Sequence, residues 1–106
     1  MVNLKNVFCA LLLSCMFTAC GSEVVDQYIT EIERTTKEIK AATTIEEVTA
    51  ATERLMKWER EHYDALSEAL DGDKLKQAEV NRAHKEFMHV GMSRSLELAK
   101  EKATTE

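Results

Sequence analysis

The chain has 106 residues, with 14 Lys and Arg against 19 Asp and Glu, a formal net charge of −5, no proline, three glycines and three cysteines. That length bounds one domain, and the acidic balance argues against nucleic acid as a partner and against electrostatic attraction to anionic lipid. With few backbone breakers in a background of Glu, Lys, Ala and Leu, and with no alternating β-branched run, the sequence predicts long helices and no sheet.

The first segment reads as a targeting signal. Lys5 gives a short positive start, and Val7 to Ala19 is an apolar run of signal-peptide length, short for a membrane span. It ends in Phe17-Thr18-Ala19-Cys20, followed by Gly21-Ser22. This stretch resembles the lipobox of bacterial lipoproteins, in which the signal is cut before a cysteine that carries lipid. Phe17 departs from the usual Leu. Two other readings compete: a secretory signal cut after Ala19, against which the bulk of Phe17 counts, and an uncleaved anchor, for which the run is short.

The resemblance implies removal of residues 1–19 and acylation of Cys20 by palmitate-type chains. Each buried methylene adds about 0.8 kcal/mol of membrane affinity, so two or more chains hold firmly. Gly21 stands where an Asp retains lipoproteins at the inner membrane of enteric bacteria, so the resemblance favours the outer membrane. As a whole, the chain resembles small helical lipoproteins of Gram-negative bacteria, which bears on location and fold class alone.

Cleavage leaves 87 residues, with 13 basic against 19 acidic side chains and a net charge of −6, because Lys5 is the one charged residue of the signal. Cys9 and Cys15 leave with the signal and Cys20 is consumed by lipid. The mature domain therefore has no thiol for a disulfide, a metal or catalysis and must rely on helix packing. Residues 20–22 make a minimal tether that holds the domain close to the membrane.

Taken in order, the first mature helix is predicted from about Glu23 to Ala42, with Ser22 as its N-cap. Val24, Val25, Tyr28, Ile29, Ile32, Thr36 and Ile39 share one face, and Glu33, Lys37 and Lys40 lie opposite. Thr43-Thr44 marks a break, since Thr44-Ile45-Glu46-Glu47 matches a capping box; the competing reading is a helix that continues through Thr43. A second helix follows from Ile45 to about Leu70, with Ile45, Val48, Ala51, Leu55, Trp58, Leu66, Ala69 and Leu70 on a broad apolar face. Asp71-Gly72-Asp73 is a turn in which Gly72 supplies a left-handed backbone and Asp73 caps the next helix.

The third helix is predicted from Lys74 to about Lys102, with a polar tail at 103–106. Its main apolar face is Val80, Ala83, Phe87, Val90 and Leu98, with His84 and Gly91 among them. A second stripe is Ala78, Met88, Met92 and Leu96, and two stripes suit contact with two neighbours. Short connections favour antiparallel neighbours, so the expected architecture is an all-α, up-down-up three-helix bundle over 23–102. The alternative is a long helical hairpin with the first helix swung out.

Two Glu-x-x-His pairs, Glu59/His62 and Glu86/His89, have the one-turn spacing of di-iron bundles. Helical geometry puts Glu86 and His89 with Arg82 and Ser93, away from the core, so the pairs cannot share one site. His62 and His84 lie at similar distances from Gly72 and are expected to approach each other. Together with Glu59 they form the one candidate metal cluster. Three ligands without cysteine favour a core histidine pair bonded to Glu59 and Tyr63, so no metal and no cofactor are expected. Trp58, Tyr63, Phe87, Met88 and Met92 can be read as an apolar pocket, but their spacing suits core packing.

No Ser/His/Asp set, Cys/His set or phosphate loop is recognisable, so no catalytic residue is assigned and an enzyme is not expected. The expected function is a non-enzymatic, membrane-anchored envelope lipoprotein that binds another envelope protein, or itself, through amphipathic helices. The alternative is a small periplasmic lipoprotein that binds a metal or an apolar ligand.

Overall fold

Four helices and no strand occur among the described residues, which in this computed structural model are 23–105. Helix α1 covers residues 23–41. Helices α2 (Ile45–Glu61), α3 (Tyr63–Leu70) and α4 (Lys74–Thr105) follow. The chain is thus all-α over this range. Cys20, the tether and the signal segment lie outside the described residues.

The predicted boundaries have local chemical causes. The Thr44 hydroxyl accepts from the Glu47 amide at 3.2 Å, which caps α2. The Glu47 carboxylate reaches back one residue further than in a standard capping box, accepting from the Thr43 amide at 3.0 Å and from the Thr43 hydroxyl at 3.2 Å. At the other turn Gly72 has φ +76°, a conformation that any Cβ would strain. Asp73 accepts from the Lys76 amide at 3.0 Å and satisfies an amide of the first turn of α4. Arg94 closes the far end of α1 from across the interface, donating to the Ala42 carbonyl from Nε at 3.0 Å and from an Nη at 2.6 Å.

Three features differ from the sequence-based expectation. The second helix is not continuous to Leu70. It breaks at His62, whose φ/ψ of −114°/13° leaves the helical region. Neither glycine nor proline causes this. The His62 ring Nδ1–H donates to the Trp58 carbonyl at 2.8 Å, and the His62 amide uses the same carbonyl at 3.1 Å. The Trp58 carbonyl thus accepts from both the amide and the ring of the residue at the break. The last helix runs to Thr105 rather than stopping near Lys102, and the 103–106 tail is helical as far as it is described. The third difference is the second stripe of α4. Met88, Met92 and Leu96 face solvent, at 57, 66 and 61% exposure, and do not pack on a second neighbour.

The core forms two clusters stacked along the helices. One contains Val25, Tyr28, Ile32, Leu55, Leu66 and Val80. The other contains Ile39, Ala42, Val48, Ala51 and Leu98. Phe87 packs against both, which leaves it half-buried rather than sealed in a common centre as its place on the apolar face suggests. Ile45 sits at the edge, more than a third exposed, because it opens its helix at the rim of the core. Thr35 and Thr36 are buried at the level between the clusters. They satisfy their hydroxyls by donating to the Glu31 and Ile32 carbonyls.

Cross-helix pairs give the directions. Asp26 meets Lys76 at 3.3 Å, Lys40 meets Glu86 at 3.6 Å and Ala42 meets Arg94, so α1 and α4 run the same way. Glu38 meets Arg54 at 2.5 Å while Tyr28 meets Glu59, so α2 runs against α1. These contacts seat α1 against its neighbours and do not fit a swung-out first helix.

Candidate functional site

The densest polar cluster in the core joins three helices at one level. Tyr28 on α1 points its phenol between Glu59 on α2 and His84 on α4. The ring is 6% exposed, because it occupies a core position of α1 one turn from Val25 and Ile32. A buried phenol needs a partner for its hydroxyl. Here the Tyr28 hydroxyl donates to a Glu59 carboxylate oxygen.

One hydroxyl has one proton, so the Tyr28 oxygen can only accept from His84, whose Nε2 is 2.6 Å away. That assigns the Nε2–H form to His84. His84 Nε2 is also 3.5 Å from Glu59 Oε2, and both side chains keep about a third of their surface in water. Burial, together with the Glu59 carboxylate, raises the Tyr28 phenol well above its ordinary value of 10.0. The phenol therefore stays protonated, acts as donor and acceptor at once, and is not a ready base.

An aromatic row supports this cluster. Tyr28 stacks on Trp58 at 5.5 Å between centroids with 6° between planes, and Trp58 stacks on His62 at 4.0 Å and 15°. His84 meets Phe87 edge-on at 6.1 Å. The rings fix how α1, α2 and α4 stand relative to one another.

The predicted candidates separate. Glu59 and His84 come together. His62 does not join them: its ring bonds the Trp58 carbonyl and stacks on the Trp58 indole, so the similar distances of the two histidines from Gly72 do not bring them into one pair. Tyr63 is 67% exposed and is not the phenol that completes the cluster. Glu86 pairs with Lys40 at 3.6 Å, and His89 is exposed, so the second Glu-x-x-His pair lies outside the core. Among the described residues, no group of three or more His, Asp or Glu side chains is arranged to hold a metal ion.

The suggested apolar pocket also divides. Trp58 and Phe87 pack on the core, whereas Tyr63, Met88 and Met92 face out. The residue that sequence reasoning missed is Tyr28. Its place on the apolar face was legible, and so was the need of a buried hydroxyl for a partner, but the partners lie 31 and 56 residues away.

Two further surface features are a groove and a ridge. The groove runs between α1 and α4, and its lining includes Ile29 and Ala83 together with the charged Glu33, Lys37, Arg82 and Glu86. Its mixed charge selects no single ligand class. The ridge is Met88, Met92 and Leu96 on the outer side of α4.

No protein family, curated protein or solved structure matches this chain.

Proposed function

We propose that this protein is a non-enzymatic envelope lipoprotein, anchored through lipid on Cys20, that binds another protein through an exposed helix face. The lipobox-type sequence Phe17-Thr18-Ala19-Cys20 supports the anchor, and Gly21 favours the outer membrane. The observation that carries the binding role is the exposure of Met88, Met92 and Leu96, one turn apart along α4. Three large apolar side chains in a row on the surface of a small domain mark an interaction site more readily than single exposed residues do. The domain itself is proposed as an up-down-up three-helix bundle in which α2 and α3 form one bent column.

The Tyr28–Glu59–His84 cluster has a structural role in this reading: its hydrogen bonds set the register of three helices. The anchor is tested by Cys20→Ser. The variant should accumulate as unprocessed or mislocalised precursor, and the mass of the mature wild-type protein should show acyl chains on an N-terminal Cys20. A mature product that begins elsewhere and carries no lipid would refute the anchor.

A second reading has one observation in its favour. Glu59 and His84 lie within 3.5 Å of each other and both are reached by solvent, so a divalent metal could compete for them. Under this reading the protein is a periplasmic metal- or ligand-binding lipoprotein.

A further inference from the structure

The outer side of α4 differs in charge from the rest of the molecule. With successive residues about 100° apart, Met88, Met92 and Leu96 form one i, i+4 ridge. An arc of roughly 160° around this ridge contains Lys74, Arg82, Lys85, Lys100 and Lys102, all exposed. Among the described residues no Asp or Glu falls in that arc. The acidic residues of α4, which are Glu79, Glu86, Glu97 and Glu101, stand on its other sides. A chain of net charge −5 thus presents an apolar ridge in a purely basic frame.

We propose that this face of α4 docks an acidic amphipathic helix of another protein, with apolar side chains packed on Met88, Met92 and Leu96 and carboxylates opposite Lys85 and Lys100. The inference rests on the protein-binding reading above and names the chemistry of the partner.

Charge and shape select this occupant. A second copy fits poorly: pairing two α4 helices antiparallel about Met92 sets Lys85 of one beside Lys100 of the other, and parallel pairing sets each lysine beside itself. Like charges across an interface oppose association, whereas carboxylates at those positions favour it. A bilayer also fits poorly. Interfacial helices bury a broad apolar face with Trp or Phe, while this ridge spans only about 80° and its arc contains neither. A single ridge suits the groove of a facing helix, and methionine side chains adapt to the shape they meet.

The test places the photo-reactive p-benzoylphenylalanine at position 92 of the full chain in its native envelope. Matching probes stand at Met56 and Tyr63, which are exposed elsewhere on the molecule. The expected result is a protein adduct at position 92 whose crosslinked peptide maps to a helix with Asp or Glu flanking apolar residues. Lys85→Glu combined with Lys100→Glu should lower its yield at least tenfold, and replacing the partner's flanking carboxylates by lysine should restore it. An adduct with lipid, with a second copy, or with a segment lacking acidic residues would overturn the proposal. So would the absence of an adduct at 92 while the other probes capture protein. If none of the three probes captures protein, the binding reading itself fails.

Discussion

Tyr28→Phe isolates the polar cluster, because it removes one oxygen and leaves the ring that packs on Val25, Ile32 and Trp58. A hydrogen bond to a charged group contributes about 1.5–3 kcal/mol, and orphaned buried partners add a further cost. Here the partners are not sealed. Glu59 and His84 keep about a third of their surface in water and can rehydrate. The expected loss is therefore roughly 1–2 kcal/mol near neutral pH, below the range for a fully buried pair. In a domain of this size that lowers the melting temperature by about 4–16 °C.

The same substitution changes the alkaline limb. The native phenol holds its proton above the ordinary tyrosine value of 10.0, whereas the unfolded phenol releases it near that value. Above that pH the native state binds more protons than the unfolded state, so stability falls as pH rises. The contribution is fully present below pH 10.0 and is lost progressively above it. Urea unfolding of the wild type and of Tyr28→Phe, followed by circular dichroism from neutral to strongly alkaline pH, reads both effects. The gap between the two midpoints should be constant below the tyrosine range and should narrow above it. Equal stability at neutral pH, or a gap that does not depend on alkaline pH, would refute the assigned hydrogen bonds.

Ile32 is fully buried in one cluster, so Ile32→Ala should fall toward the upper end of about 2–5 kcal/mol, while Phe87→Ala should fall toward the lower end of the usual range of about 3–5 kcal/mol because Phe87 is half-buried. Chemical denaturation checks both, and a larger cost at Phe87 than at Ile32 would reverse the burial order. Zinc should leave the melting temperature unchanged, and His62→Ala should destabilise equally with and without the metal, since His62 stacks on Trp58 rather than on His84. A submicromolar zinc affinity lost on joint replacement of Glu59 and His84 by alanine would promote the metal-binding reading.

The helical class, the Thr44 cap and the Asp71-Gly72-Asp73 turn were legible in the sequence because each depends on neighbours within four residues. A hydroxyl that reaches an amide three positions on, or a left-handed glycine, needs nothing from the rest of the fold. The apolar faces of α1 and α2 were legible for the same reason: helical periodicity alone puts Ile32 and Leu55 inward. Which helix face finds a partner is a different matter. The two stripes of α4 look alike in one dimension, and only packing decides that Val80 and Leu98 are covered while Met88, Met92 and Leu96 are not.

The site divides in the same way. Glu59 and His84 were recognisable as inward polar residues, yet their partner is Tyr28 on α1, and which residue of α1 stands at their level depends on how the three helices pack. Similar distances from a turn bring two residues to nearby levels but do not fix their direction. The His62 ring goes to Trp58 instead, and Tyr28, 31 positions from Glu59, is the group that joins the helices.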